Sequence, residues 1–167
     1  MAPEPAFITR DLQLLILLGV ANTMPIVARV VFKHRFETPV DFNRPFFDGH
    51  PIFGPHKTWR GIVASLSGTA LLAWLFGIGT ILGMWLAFYS MAGDLLSSFI
   101  KRRRKLKSGA KATGLDQSIE AFLPLAILKD RLGLTWTECF GMTIVFTILE
   151  IILSPIFYRL GFRRHPY

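Results

Sequence analysis

The sequence predicts an all-α integral membrane protein with about five transmembrane helices and two cytoplasmic loops that form its functional site. Of its 167 residues, 51% are hydrophobic and 18% are charged, and the mean hydropathy is +0.43. A soluble domain typically carries about 25% charged residues. The net charge of +8 comes from basic residues that stand between long apolar segments, a pattern typical of membrane proteins. These features disfavour a cytosolic enzyme, a disordered chain and a nucleic-acid-binding domain, so we expect no nucleic-acid partner.

Five apolar segments are predicted to cross the bilayer as a single membrane domain of residues 1–167. The first exceeds the roughly 20 residues that a helix needs to span the hydrocarbon core, and it is too long for the core of a signal peptide. A short glycine-containing join connects the second and third segments, which predicts a helical hairpin. The fourth is weaker because Lys129, Asp130 and Arg131 end it early, so we expect a short or tilted span. The predicted spans are residues 11–32, 61–77, 78–100, 118–134 and 137–160.

The distribution of lysine and arginine predicts the orientation. With five spans, the loops of residues 33–60 and 101–117 share one side of the membrane with the tail of residues 159–167. Most basic residues fall on this side, and the other side holds only Arg10, Lys129 and Arg131. The positive-inside rule then assigns both loops to the cytoplasm and the N-terminus to the outside. Four spans would put the first loop and the tail on opposite sides, so the charge asymmetry favours five.

The third predicted helix carries an ionisable stripe near its cytoplasmic end. Asp94, Ser98 and Lys101 are separated by four and three residues, so they share one helix face, and Ser97 lies beside them. Ionisable groups within spans are energetically costly and usually functional. A structural ion pair within the bundle is the alternative interpretation of Asp94.

A second acidic pair, Asp116 and Glu120, follows the basic segment of residues 101–111 and shares a helix face by its four-residue spacing. Carboxylates bind hard cations such as magnesium, and basic side chains bind phosphates. Both kinds of group at one membrane level predict a site for a metal–polyphosphate complex. The basic run alone is also explained as a topology determinant beside anionic lipid.

The first loop is rich in turns and aromatic residues, with the sequence PVDFNRPFFDGHPIFGPHKTWRG over residues 39–61. We expect an ordered segment at the membrane interface in which Lys57, Thr58 and Arg60 present donors just before the second helix. An aromatic interfacial anchor with incidental charge is the alternative. His50 and His56 do not have the spacing of a zinc site.

Several motifs resemble those of one enzyme family. Residues 98–107, SFIKRRRKLK, fit the S-x-x-K-R-x-x-x-x-K core of the CDP-diglyceride synthetase signature. Further motifs are similar to those of its short archaeal relative, the CDP-archaeol synthase family: Asn22 with Pro25, the loop of residues 39–61, Gly93-Asp94-Leu95, and Leu115-Asp116-Gln117. The chain departs from the synthetase signature because it lacks His-Gly-Gly and has Gln117 after Asp116, which favours an ether-linked isoprenoid lipid over a diacylglycerol lipid.

The resemblance implies an enzyme that condenses CTP with 2,3-bis-(O-geranylgeranyl)-glycerol 1-phosphate to give unsaturated CDP-archaeol and pyrophosphate in archaeal phospholipid biosynthesis. The expected cofactor is Mg²⁺, and the expected location is the cell membrane, as a multi-pass protein in contact with membrane lipids. The active site would lie on the cytoplasmic side. The GxxxG of Gly79 and Gly83 indicates close helix packing within or between subunits, which leaves a homodimer open.

The resemblance also implies roles for individual residues. Asp94 and Asp116 would hold magnesium on the CTP phosphates, with Glu120 as a further candidate ligand. Lys57, Lys101 and Arg102 would neutralise the α-phosphate and the departing pyrophosphate. Candidate substrate contacts are Asn43, Asp48, Thr58, Arg60, Ser97, Ser98, Arg102 and Gln117.

Two other functions share some of these features. A CDP-alcohol phosphotransferase requires D-G-x-x-A-R, and Asp48-Gly49 is not followed by Ala-Arg. A non-enzymatic anionic-lipid binder or a small-solute transporter is the remaining alternative. A transporter would have polar residues along a path through the bilayer, whereas here they cluster at one interface apart from Asn22 and Glu150.

Overall fold

The structure, a computed structural model, describes residues 5–106 and 114–159. Within these ranges the regular secondary structure is helical and contains no strand, which confirms the predicted all-α fold. The helices are α1 (Pro5–Phe32), α2 (Trp59–Leu75), α3 (Thr80–Arg103), α4 (Leu115–Ile127), α5 (Lys129–Leu132) and α6 (Trp136–Arg159). Four basic residues of the predicted cytoplasmic segments lie outside the described residues: Lys107, Lys111, Arg163 and Arg164.

Two helices can cross a membrane by length and composition. Among the described residues these segments are Thr9–Phe32 of α1 and Trp136–Pro155 of α6, which match the first and last predicted spans. Helices α2 and α4, with 17 and 13 residues, are shorter than the roughly 20 residues of a full span. Five spans therefore remain a prediction.

The predicted fourth span is divided in the structure. Helix α4 begins at Leu115, three residues before the predicted start, and ends at Ile127, after which Leu128 separates it from the short α5. Pro124 lies inside α4 and has no N–H to donate to the helix ladder. The ion pair of Lys129 with Asp130 then opens α5, and Gly133 ends it with a left-handed φ of 65°. The charged residues thus interrupt the apolar segment, as the sequence predicted.

The helices pack in a closed sequence of neighbours. Helix α1 contacts α2, α3 and α6, while α2 packs on α3, α3 on α4 and α4 on α6. The α2–α3 hairpin is tight because Gly83 lies directly against Ala73 and the carbonyl of Thr69. The buried core is formed largely by Leu14, Leu17, Leu18, Leu86, Ala121, Leu125, Cys139, Met142 and Phe146.

Arg10 fastens α1 to the start of α6. Its Nη1 donates a hydrogen bond of 2.8 Å to the carbonyl of Gly133, and its Nη2 lies 2.5 Å from Oε1 of Glu138. This contact lies near the start of α1, whereas the first loop follows its end at Phe32. The two ends of the bundle therefore differ: one is closed by an ion pair, and the other carries the loop.

Candidate active site

A cavity of about 820 Å³ opens beneath the first loop and reaches between the helices. Side chains from α1, the first loop, α2, α3, α4 and α6 line it. The predicted site residues on its wall are Asn43, Lys57, Thr58, Arg60, Asp94, Lys101, Asp116, Gln117 and Glu120. The structure therefore brings most of the predicted residues to one place, although they come from distant parts of the chain.

Lys57 and Asp94 form the first ion pair in this cavity. The Lys57 Nζ donates to both carboxylate oxygens of Asp94, at 2.5 and 2.6 Å. Burial alone would lower the pKa of Lys57, but the carboxylates of Asp94 and Glu120 together raise it above its ordinary value. Lys57 is therefore a firmly charged cation, held by the loop against α3.

Lys101 and Asp116 form a second ion pair across the α3–α4 connection. The Lys101 Nζ donates to Asp116 Oδ2 at 2.6 Å, and the two side chains are only 12% and 18% exposed. The other carboxylate oxygen, Oδ1, is buried and has no hydrogen-bond partner in the described part of the chain. An unpaired buried carboxylate oxygen is costly, so this atom is a ready ligand for a cation or a donor.

Glu120 completes the cluster from the first turns of α4. Its carboxyl group lies beside that of Asp94 and close enough to Lys57 and Asp116 to interact electrostatically. Two carboxyl groups in contact need a proton or a cation between them, because two bare carboxylates repel each other. Three acidic and two basic side chains thus meet here.

Gly93 explains why α4 comes so close to α3 at this level. A Cβ atom on Gly93 would lie 2.8 Å from the carbonyl oxygen of Ile119 and 3.1 Å from the Cα of Glu120. Only glycine fits such a backbone approach, and it directly precedes Asp94. Gly93 therefore allows the next residue, Asp94 of α3, to lie against Glu120 of α4.

Asp41 organises the first loop, and sequence reasoning missed it. Its carboxylate accepts hydrogen bonds of 2.9 to 3.0 Å from the backbone N–H groups of Asn43, Phe53 and Gly54. Burial opposes ionisation, but these three donors hold the pKa of Asp41 below its ordinary value. The signal in the sequence was the D-F-N turn, since aspartate often accepts from the backbone N–H two residues ahead. Asp41 fixes the loop that carries Lys57.

Asp48, a predicted substrate contact, instead anchors the loop to the end of α3. Its Oδ1 accepts from Arg103 Nη1 at 2.5 Å, and Asp48 does not line the cavity. The Arg103 guanidinium also donates to the carbonyl of Pro51 at 2.6 Å and stacks over the rings of Phe46 and Phe99, with 4.6 and 4.9 Å to their centroids. We refer to this contact, made by Asp48, Pro51, Phe46, Phe99 and Arg103, as the loop clasp.

Three further predicted substrate contacts on α3 are buried away from the cavity wall. Ser97, Ser98 and Arg102 have relative exposures of 0%, 3% and 6%. The Ser97 hydroxyl donates to the carbonyl of Asp94, one turn earlier, at 3.0 Å. Their predicted role in substrate binding remains a prediction, and the structure gives Ser97 a contact within its own helix.

The remaining predicted substrate contacts line the cavity and also shape its rim. Thr58 Oγ1 accepts from the N–H of Gly61 and caps α2. Arg60 Nη1 donates to the carbonyls of Lys33 and Arg35 at 2.7 and 2.5 Å. Gln117 Oε1 accepts from the N–H of Gly114 at 2.9 Å, at the start of α4.

The acidic residues fit a magnesium ion only if the substrate supplies further ligands. Within residues 5–106 and 114–159, no group of three or more His, Cys, Asp or Glu side chains has a geometry that could hold a metal ion. Asp116 Oδ1 and the Asp94–Glu120 carboxyl pair are nevertheless oxygen donors of the type that Mg²⁺ prefers. Magnesium usually binds through one or two carboxylates plus phosphate oxygens and water, which this donor set permits.

Comparison with known proteins identifies the family. A family model described as CarS-like, CDP-archaeol synthase, matches residues 8–167. The chain belongs to the CDP-archaeol synthase family. A CDP-archaeol synthase from Staphylothermus marinus is 31% identical over 174 residues, covering 96% of this chain and 94% of the relative. Another from Sulfurisphaera tokodaii is 33% identical over 144 residues, covering 78% of this chain and 82% of the relative.

A solved structure extends the family comparison to the fold. It is described as an intramembrane enzyme for archaeal membrane lipid biosynthesis, and it covers 82% of this chain and 90% of its own at 26% identity and a TM-score of 0.64. The resemblance deduced from the motifs is thereby confirmed. As a member of the CDP-archaeol synthase family, the chain is a membrane-embedded transferase of lipid biosynthesis, which disfavours the transporter and the non-enzymatic lipid binder.

Proposed function

We propose that this CDP-archaeol synthase family member is a Mg²⁺-dependent enzyme that transfers a cytidylyl group from CTP to 2,3-bis-(O-geranylgeranyl)-glycerol 1-phosphate. The observation that carries the proposal is the pairing of Lys57 with Asp94 and of Lys101 with Asp116 on one cavity wall. The cavity volume of about 820 Å³ falls within the range of about 300–1,000 Å³ typical of small-molecule sites.

The two ion pairs suit a substrate that brings both charges with it. A magnesium triphosphate offers anions to the lysines and a cation to the carboxylates. Each member of an ion pair can therefore exchange its partner for a substrate group of the same charge. Such an exchange avoids leaving a buried charge unpaired, which would cost several kcal/mol, on the order of 3 to 5.

One or two of the carboxylates of Asp94, Asp116 and Glu120 would hold the magnesium ion, and phosphate oxygens and water would supply its other ligands. When bound, magnesium supplies charge compensation for the triphosphate and polarises its phosphoryl oxygens. Lys57 and Lys101 bind phosphate oxygens and orient the α-phosphate toward the lipid. Lys57 comes from the first loop and Lys101 from α3, so the packing of the loop against α3 brings the two cations into one site.

The reaction needs no nucleophile from the protein. An oxygen of the lipid phosphate, anionic at neutral pH, attacks the α-phosphorus of CTP and forms the new P–O bond. The bond from the α-phosphorus to the oxygen bridging to the β-phosphate breaks, and pyrophosphate leaves with its electron pair. The lysines offset the negative charge that develops, so catalysis rests on positioning and electrostatic stabilisation.

The membrane arrangement follows from the same proposal. A soluble triphosphate and a lipid headgroup can meet only near the membrane surface. The excess of basic residues around the first loop and the α3–α4 connection favours the cytoplasmic surface, with the N-terminus outside and several membrane passes.

A transfer assay on the purified full chain tests the proposal. Label from α-phosphate-labelled CTP should appear in lipid, with release of pyrophosphate, only when the lipid phosphate is present. EDTA should abolish transfer, and added Mg²⁺ should restore it. Asp94→Asn and Asp116→Asn should each lower kcat/KM by about 100-fold or more, the usual scale for removing one electrostatic contact to the transition state.

Asp130→Asn is the matched control because Asp130 is an acidic residue of α5 whose side chain is 89% exposed. It should transfer label at the wild-type rate. Absence of CTP-dependent transfer by the wild-type protein would refute the proposed function. Transfer by wild type that survives EDTA, or full activity in both cavity variants, would refute the magnesium assignment alone.

A further inference from the structure

One face of α3 presents apolar side chains that do not line the cavity. Its members recur at intervals of four, three and eight residues and are 42% to 71% exposed: Ile81, Trp85, Phe88 and Leu96. Phe99 and Arg103 follow on the same face, three and seven residues after Leu96. In a family of membrane-embedded enzymes, an exposed apolar helix face of this kind contacts lipid.

The tip of the first loop, residues 46–50, lies at the end of this face. The ring of Phe46 meets the ring of Phe99 edge-on, with 5.4 Å between their centroids, and the ring of Phe47 lies 5.0 Å from that of Phe46. The Arg103 guanidinium lies over both Phe46 and Phe99 and holds this arrangement through the loop clasp. The loop therefore adds two aromatic rings to the apolar face of α3.

Phe47 is the most exposed part of this surface, with a relative exposure of 99%. A single exposed phenylalanine would be ordinary. Phe47, however, continues a surface that Leu96, Phe99 and Phe46 already form, and extended apolar patches mark contacts with a membrane or a protein. The fold thus presents this ring to something outside the chain.

The level of the tip along α3 matches the edge of the hydrocarbon core. At about 1.5 Å of rise per residue, Phe99 lies about 27 Å from Ile81, compared with roughly 30 Å of hydrocarbon in a bilayer. Arg103 lies about 6 Å farther along the helix, at the level of the lipid headgroups. Aromatic rings at this boundary with a basic side chain just beyond them are typical of membrane-interface anchors.

Exposed basic residues border the tip and indicate the charge of its partner. Arg44 precedes the tip in the loop, and Arg104 and Lys105 follow Arg103 at the end of α3. An apolar patch bordered by cations complements a leaflet that contains anionic lipids. A second copy of the chain fits this surface less well, because its own net charge is +8.

We propose that the tip of the first loop inserts Phe46 and Phe47 into the bilayer beside α3, at the boundary between hydrocarbon and headgroups. Arg44, Arg104 and Lys105 contact the anionic headgroups around it. Phe46 and Phe47 do not line the cavity, so this surface contacts bulk lipid rather than a substrate. The proposal rests on the membrane embedding of the family and is independent of the transfer reaction.

The anchor matters for the cavity because the same loop carries Lys57. The carbonyl of Lys57 accepts a hydrogen bond of 2.8 Å from the N–H of Val40, and its Nζ donates to Asp94. The loop is therefore held to α3 by an ion pair at the cavity and to the bilayer at its tip. Contact with the bilayer thereby limits how far the loop can move away from α3.

A depth measurement on the full chain tests the contact with lipid. In a Cys139→Ala background, a nitroxide label is attached at Phe47→Cys, Leu96→Cys or Arg104→Cys, and the protein is placed in anionic nanodiscs that hold one chain each. All three positions are exposed, so the labels disturb no packed core. The label at position 47 should collide with dissolved oxygen as often as the label at position 96. It should collide severalfold less often with a water-soluble nickel chelate than the label at position 104.

Equal nickel collision rates at positions 47 and 104 would overturn the proposal. With one chain in each disc, shielding of position 47 from the chelate comes from lipid. Shielding that appears only when two chains share a disc would assign the surface to a second copy and would also overturn the proposal.

Hydrogen exchange in the same nanodiscs gives a second test. The N–H groups of Phe46 and Gly49 donate within the tip, to the carbonyl of His50 at 2.7 Å and to that of Phe46 at 2.9 Å. Their protection factors should fall severalfold in Phe47→Asp, because a carboxylate is unfavourable at the hydrocarbon boundary, and should stay at the wild-type value in Phe47→Trp.

Phe36→Asp is the matched control for the exchange experiment. Phe36 is another exposed phenylalanine of the first loop, at 69%, and lies outside the tip, so this variant should leave the protection of the tip unchanged. Because Phe47 is almost fully exposed, a loss of protection in Phe47→Asp alone reports a lost contact outside the protein. Wild-type protection in Phe47→Asp would show that the tip is not anchored.

Discussion

Replacing Gly93 with alanine tests whether the close approach of α3 and α4 builds the charged cluster. The added Cβ would lie 2.8 Å from the carbonyl oxygen of Ile119, about 0.6 Å short of the 3.4 Å at which ordinary contacts begin. The obstacle is the α4 backbone rather than a flexible side chain, so the two helices must separate. Over-packing of this kind costs about 1–3 kcal/mol, while the alanine recovers about 0.5–1 kcal/mol of helix propensity.

The separation of α3 and α4 in Gly93→Ala should affect the catalytic activity more than the folding stability. Glu120 directly follows Ile119, so a displacement of α4 moves the Glu120 carboxyl group away from Asp94. Misplacement by about 1 Å can cost about 100-fold in rate, and we therefore expect Gly93→Ala to lose about tenfold or more in kcat. Its net destabilisation should be about 0–2.5 kcal/mol. Thermal unfolding in detergent and label transfer from CTP measure the two effects.

Gly141→Ala is the control for this experiment. Gly141 is also a helical glycine, in α6, but no neighbouring atom lies within 4 Å of the position that an added Cβ would take. The substitution should leave activity unchanged and raise stability slightly, by about 0.5–1 kcal/mol. If Gly93→Ala behaves like Gly141→Ala in both measurements, the close approach does not position the cluster and the reasoning is wrong.

Two further predictions concern the first loop. Asp41→Asn should destabilise the loop. The carboxylate accepts hydrogen bonds from three backbone N–H groups, and an amide would turn a donor NH₂ group toward one or more of them. The pKa of Asp41 in the folded protein is held below its ordinary value. The carboxylate therefore contributes its full stabilisation of the fold above the unfolded-state pKa of about 3.9, and this contribution is lost as the pH falls through the folded-state pKa. The melting-temperature difference between wild type and Asp41→Asn should therefore shrink below about pH 4, and a constant difference would contradict this assignment. Arg103→Ala should open the loop clasp and speed protease cleavage at residues 46–50 severalfold. Arg104→Ala, at an exposed neighbouring position, is the control and should leave the cleavage rate unchanged. Equal cleavage rates for the two variants would count against the clasp.

The sequence was sufficient to predict the helices that have long apolar segments. Apolar length predicted α1 and α6, and the glycine-containing join predicted the α2–α3 hairpin. The spacing of residues along a helix was less informative about which of them border the cavity, because the packing of neighbouring helices determines this. Asp94 and Lys101 share the cavity as their spacing predicted, but Ser98, assigned to the same stripe, is buried outside the cavity wall. Spacing gives the face of a helix, and only its neighbours determine which part of that face borders a cavity.

The partners within the site could not be predicted from local spacing. Lys57 is separated from Asp94 by 37 residues, and Lys101 from Asp116 by 15, so both ion pairs depend on how the helices and loops meet. Asp41 was missed for a related reason, since two of its three donors lie 12 and 13 residues farther along a loop without periodicity. Family motifs identified the charged residues, whereas the contacts that position them become visible only in three dimensions.

The contacts within the charged cluster matter because they hold groups of both signs at fixed distances in one cavity. Under the proposed function, a magnesium triphosphate needs cations for its phosphate oxygens and carboxylates for its metal ion. The ion pairs of Lys57 with Asp94 and of Lys101 with Asp116 supply both kinds of group, and the close approach at Gly93 sets the distance between α3 and α4. Gly93→Ala should therefore lower kcat without changing the KM of one substrate selectively, because Gly93 sets the distance between the helices that carry the charged groups and does not itself line the cavity. A rise in the KM for CTP alone, with kcat unchanged, would show that Gly93 acts on nucleotide binding instead.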